Sequence, residues 1–181
     1  MSRDLAMMSA TDLVQAYAAG TISPVEAVKA SLDEIGKHNE VFNAFVHIDE
    51  ASTLAAAKAS EARWKAGTPI GIVDGVPTTI KDLAEVKGWP VRRGSKTSDP
   101  DFRSAADSPF VGRLRAHGAV FMGKTTTPEY GWKGVTDSPL TGITRNPWNP
   151  DKTPGGSSGG AAVATALGMG ALNQGTDGGG S

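Results

Sequence analysis

The chain is predicted to fold as an α/β domain with a mixed central β-sheet flanked by helices. Helical patterns dominate the first 66 positions, broken by one short strand, after which strand and helix patterns alternate, an order that favours helices packed on a mixed sheet. With 39% hydrophobic and 20% charged residues the composition is that of a globular chain rather than a disordered one. A chain of 181 residues can also bury a real core, about two thirds of its unfolded surface at this size.

The elements follow in order. Ser9 reads as an N-cap, with Asp12 in the first turn, Leu13, Val14 and Tyr17 as the apolar set, and Gly20 as a left-handed stop. Ser23, Pro24 and Glu26 form a capping box with proline at the first helical position, and Ala27, Val28, Leu32 and Ile35 recur at helical spacing. Residues 42–48 read as a short strand, and 50–66 as an alanine-rich helix stopped by Gly67. Residues 76–81 read as a strand, followed by a polar stretch. Ser108 and Pro109 open a helix that ends at Gly118, and residues 119–122 are a buried strand. Residues 125–154 hold Pro128, Pro139, Pro147, Pro150 and Pro154; a loop this long in a compact domain usually carries function. A small-residue helix is expected over 159–169 and a strand over 171–174, before the run Gly175-Thr-Asp-Gly-Gly-Gly-Ser181.

Bulk properties narrow the function. A net charge of −1 gives no electrostatic case for nucleic acid or a polybasic membrane contact. The absence of cysteine excludes disulfides and thiolate metal sites. The first residues mix charges into their apolar run, unlike a signal peptide, and no stretch reaches the roughly 18 apolar residues of a spanning helix. A cytoplasmic protein is therefore expected. His38, His47 and His117 show no ligand spacing, so neither metal nor cofactor is expected.

Three segments carry chemistry together: Gly71-Ile-Val-Asp-Gly-Val-Pro-Thr-Thr-Ile-Lys81-Asp82, Thr153-Pro-Gly-Gly-Ser157-Ser158-Gly-Gly160, and Gly175-Thr-Asp-Gly-Gly-Gly-Ser181. Singly, each has a plainer reading. Lys81 alone is most simply a solvated lysine, Ser157 and Ser158 turn serines, and the last run a flexible linker. Asp82 and Glu85 read as solvated or local orienting groups. The glycines at 155–160 before a helix could cradle a phosphate, although the Lys-Ser/Thr ending of a nucleotide loop is missing.

In combination the segments resemble the amidase-signature family, over about residues 70–181, with helices before them that also look like those of the family. The resemblance implies a Ser-Ser-Lys triad that falls on Lys81, Ser157 and Ser181, and a cis peptide bond at Gly156–Ser157. It divides the chain into an N-terminal helical segment, 1–69, and the first part of the signature core, 70–181, of one domain. The chemistry suits these residue types. A serine hydroxyl needs a neighbour to take its proton, and here the base would be Lys81 in its neutral form, which requires desolvation. Ser157 would relay the proton and return it to the leaving amine. Backbone N–H groups of Gly178, Gly179, Gly180 and Ser181 would hold the oxyanion, with Ser158, Thr176 and Asp177 as supporting hydrogen-bond partners. Many members carry a side chain where Gly178 stands, so a looser turn is expected there.

The function implied is hydrolysis of a small-molecule amide to an acid plus an amine or ammonia through an acyl-Ser181 intermediate, with room for a homodimer in the full-length enzyme. A glutaminase like the A-type component of glutamyl-tRNA amidotransferase is the alternative within the family. A non-enzymatic phosphate-binding or interaction module is the alternative outside it. The segment Thr125-Thr-Thr-Pro-Glu-Tyr-Gly131 looks more like general amidases than like that component. Family members continue well past the nucleophile, so this 181-residue chain is expected to be a fragment, poorly soluble and inactive alone.

Overall fold

A computed structural model describes residues 2–181. Among the described residues six α-helices run in chain order: α1 Ser2–Ala6, α2 Ala10–Ala19, α3 Pro24–Phe42, α4 Glu50–Lys65, α5 Pro109–Ala116 and α6 Gly159–Leu167. The strands are β1 Phe45–Ile48, β2 Pro77–Lys81, β3 Val120–Thr125, β4 Asp137–Ser138, β5 Gly142–Ile143 and β6 Leu172–Asn173.

Side-chain chemistry fixes the helix ends. Ser9 accepts from Asp12 N at the start of α2, and Gly20 closes that helix at φ 67°. The capping box of α3 is complete: Glu26 N donates to Ser23 Oγ, and Ser23 N to the Glu26 carboxylate. This helix runs to Phe42, so the strand expected from residue 42 begins only at Phe45, because Asn43 takes a left-handed cap at φ 50° and turns the chain first. Strands β2 and β3 contain only buried residues, as strands covered on both faces must.

The central sheet has the order β1-β3-β2-β6. β1 runs antiparallel to β3, while β2 is parallel to both β3 and β6. The expected mixed α/β architecture is therefore what the chain adopts. On one face Val28, Ile35, Phe45, Val120, Met122 and Val163 form the larger apolar cluster, beneath α3 and α6. On the other, Ile80, Val86, Trp89, Val111 and Phe121 pack under α5.

A bulge in the β2–β3 pairing decides where two lysines point. Thr78 pairs with Phe121 but Thr79 pairs with Gly123, so Met122 has no partner on β2. The extra residue shifts the alternation of β3. Lys124 comes into register with Ile80, under α5, while Lys81 pairs with Thr125 on the side of α6.

Within residues 125–154 the chain is not structureless. It forms a 3-10 turn at Glu129–Gly131 and the β4–β5 hairpin, in which Asp137 pairs with Ile143. No helix among the described residues is long and apolar enough to cross a membrane.

Candidate active site

Lys81 ends β2, whose parallel neighbour β6 leads into Gln174 and the glycine-rich run. Gln174 N donates to Thr79 O at 3.0 Å, and its side-chain oxygen accepts from Lys81 N at 3.0 Å. The ladder is thus prolonged past β6 and pins the backbone of Lys81.

The side chain of Lys81 has no exposed surface. Its Nζ lies 2.5 Å from Ser157 Oγ, 2.8 Å from Thr176 Oγ1 and 3.0 Å from Ser158 Oγ. Burial lowers its pKa from the ordinary 10.5 to about 8, against the opposing pull of the Asp177 carboxylate. Burial thus favours the neutral amine at pH values above about 8.

The serines stand on a loop that admits almost no side chains. Gly156–Ser157 is a cis peptide bond. A Cβ on Gly156 would lie 2.7 Å from the Val135 carbonyl carbon, and one on Gly160 would strike Thr126 N and Ala44 O. These glycines let α6 start hard against the ends of β1 and β3. Thr136 clamps the loop: its hydroxyl donates to Gly155 O at 2.7 Å and accepts from Gly159 N at 3.1 Å. The sequence contains no local signal for Thr136, Gln174 or Gly131 at this site. Gly131 passes so close that its Cβ would lie 3.6 Å from Ser157 Oγ.

The last segment is arranged differently from the expectation. Ser158 Oγ accepts from Thr176 N at 3.2 Å and can donate to Thr176 O at 3.1 Å or Ser181 O at 3.3 Å, tying the run back to α6. Ser181 is exposed, and no hydrogen bond joins its hydroxyl to Ser157 among the described residues. The N–H groups of Gly179, Gly180 and Ser181 all donate to Asp177 Oδ1, at 3.0, 2.5 and 3.0 Å. Three of the four proposed oxyanion donors thus converge on one carboxylate oxygen. The geometry is an anion nest occupied by the chain's own acid, and these donations hold Asp177 below the usual carboxylate range. The amide of Gly178 takes no part in that convergence.

Of the two readings of Asp82, solvated or local orienting group, the structure gives the second. Asp82 is buried, 2.8 Å from Lys124 Nζ, and accepts from Arg93 N at 2.9 Å and Arg92 N at 3.2 Å. Glu85, by contrast, stays near the surface, 3.6 Å from Arg93. Among the described residues no cluster of His, Cys, Asp or Glu could hold a metal ion.

A protein-family model described as Amidase matches residues 26–181. The chain is 42% identical over 173 residues to an indoleacetamide hydrolase of Bradyrhizobium diazoefficiens, covering 96% of this chain and 33% of the relative. It is 40% identical over 178 residues to the A-type component of the glutamyl-tRNA(Gln) amidotransferase of Salinispora tropica, covering 98% of this chain and 36% of that protein. Among solved structures, a bacterial aryl acylamidase of the amidase-signature enzymes superposes with a TM-score of 0.81 at 35% identity, over 90% of this chain and 34% of that one. The chain thus spans about a third of the length of these relatives.

Proposed function

The chain belongs to the amidase family, and on that premise we propose that its protein hydrolyses small carboxylic amides, with Ser181 as nucleophile, Ser157 as proton relay and Lys81 as base. The observation that carries this reading is the surroundings of Lys81: a buried amine, 2.5 Å from Ser157 Oγ, ringed by three hydroxyls and, among the described residues, hydrogen-bonded to no carboxylate.

In this scheme Ser181 Oγ forms a bond to the amide carbon as its proton passes to Ser157, whose own proton moves to Lys81 Nζ. The carbonyl π bond opens to an oxyanion. The amides of Gly179, Gly180 and Ser181 would receive it in place of the Asp177 carboxylate oxygen, joined by the amide of Gly178. The C–N bond then breaks as the Lys81 ammonium returns a proton, through Ser157, to the departing nitrogen. Water attacks the acyl-Ser181 ester by the same relay, releasing the acid and restoring the serine. No cofactor is required by this sequence of steps.

The test is amide turnover, with hydroxylamine trapping of the acyl group, in the protein at the length of its relatives. Ser181→Ala and Lys81→Met are expected to abolish both the product acid and the hydroxamate. Turnover that survives either substitution would overturn the assignment. A glutaminase reading stands second, because identity to the amidotransferase component is nearly as high as to the hydrolase; glutamine in the same assay separates the two.

A further inference from the structure

We propose that Tyr130 and Trp132 form an aromatic wall that selects amides bearing a flat, uncharged aromatic group near the carbonyl, an inference that rests on the amidase reading of the same site. A cavity of about 480 Å³ has Ser157 and the turn ending in Ser181 on one side, and Tyr130, Trp132 and Lys133 on the other. Its size suits a small ligand rather than a polymer.

Trp132 is 87% exposed and Tyr130 54%, and both line this cavity. A ring entering beside them would remove their exposed surface from water and stack on it. The wall is not a loose loop. Tyr130 holds a left-handed backbone, φ 54°, that a residue with a side chain adopts only under constraint. Its N–H donates to Arg93 O at 2.8 Å, and its hydroxyl shares a 2.8 Å hydrogen bond with Thr97 Oγ1. Thr97 meets Ser95 Oγ at 2.7 Å, and Ser95 donates to the Glu129 carboxylate at 2.6 Å. Arg93, itself at φ 52°, is fixed through its N–H by buried Asp82. Tyr130 is thus preorganised from the sheet outward, and Trp132 follows it two residues on, its N–H donating to Glu129 O at 3.2 Å.

Charge points the same way. Among the described residues Lys133 is the one lining residue with a charged side chain, and Asp137 engages it at 2.7 Å. The α-ammonium and α-carboxylate of an amino-acid amide such as glutamine would each need a charged partner, and among the described lining residues the one charged side chain is already paired.

The experiment compares phenylacetamide, butyramide and glutamine in the protein at the length of its relatives, with Trp132→Ala and Trp132→Phe. The aromatic amide is expected to have the highest kcat/KM. Trp132→Ala should lower the aromatic-to-aliphatic ratio at least tenfold, and Trp132→Phe should restore most of it. In parallel, calorimetric titration of phenylacetamide into Ser181→Ala and Ser181→Ala/Trp132→Ala proteins reads binding without turnover. Binding that depends on Trp132 without any amide turnover would sustain the wall and refute the amidase reading. Turnover with no aromatic preference, or a ratio unmoved by Trp132→Ala, would overturn the wall while leaving the amidase reading intact.

Discussion

Lys81 and Lys124 sit on neighbouring strands, and neither exposes any surface, yet their surroundings fit them for opposite tasks. Lys124 Nζ meets the Asp82 carboxylate at 2.8 Å, Ala84 O at 2.8 Å and Pro90 O at 3.3 Å. All three are acceptors, and only an ammonium, with three N–H donors and no lone pair, satisfies all of them. Burial pulls its pKa down while the Asp82 carboxylate opposes that pull. Lys81 instead meets three hydroxyls, each able to donate or accept. The proton of Ser158 is directed to the carbonyl of Thr176 or Ser181, so the lone pair of a neutral Lys81 is left for Ser157 or Thr176. What separates the proposed base from the buried strut here is the proton-donating capacity of the shell, since burial is common to both.

That contrast is most exposed to attack through activity. Lys81→Met should lower amide turnover by at least about 10⁴-fold, in line with the loss of a triad member elsewhere, in initial-rate assays at the length of the relatives. Lys124→Met should leave a different signature. It strands the Asp82 carboxylate in the interior, and removal of one partner of a buried pair costs about 3–5 kcal/mol of fold stability, read by denaturant unfolding. A second substitution, Lys124→Met/Asp82→Leu, should recover part of that loss. If Lys81→Met destabilised the fold as much as Lys124→Met, the distinction between base and strut would be lost.

Titration sharpens the comparison further. The folded chain protonates Lys81 at about 8 and the unfolded chain at the ordinary 10.5. Between these values the unfolded state binds more protons, so stability rises with pH. The full rise is about 3 kcal/mol, at about 1.4 kcal/mol per unit; it is absent below the lower value and complete above the higher one. Urea unfolding from pH 7 to 10.5 should show this rise, and Lys81→Met should remove it. With Lys81 as the proposed base the same proton would set the rate, so kcat/KM should climb with pH and level off above about 8.

The unequal legibility of the two lysines in the sequence has a physical reason. Lys81 is found because it closes a motif whose other members carry the same chemistry, and helix ends such as Ser23-Pro24-Val25-Glu26 are found because capping is local. Lys124 gives no local sign. Its orientation depends on a one-residue bulge in the β2–β3 pairing, and its partner Asp82 lies 42 positions earlier. Thr136 is hidden in the same way, since it acts on Gly155 and Gly159 only after the chain has turned through the β4–β5 hairpin. The occupation of the Gly179–Ser181 amides by Asp177 is equally unreadable, because glycine spacing shows that donors can converge and not which oxygen they meet.

The smallest effect expected bears on which hydroxyl faces the lone pair of Lys81. Among the described residues Ser157 Oγ has no hydrogen-bond partner but Lys81 Nζ, and the same holds for Thr176 Oγ1. If Ser157 donates to the neutral amine, Thr176 accepts from it, and that acceptance is stronger when the amine is charged. Thr176→Val then removes support for the ammonium, so the inflection of the pH–rate profile should move down by less than about one unit. Turnover above the inflection should fall less than about tenfold, against a far larger loss for Ser157→Ala. An upward shift in Thr176→Val would mean that Thr176, not Ser157, gives its proton to the base, and the relay would have to be redrawn through the threonine.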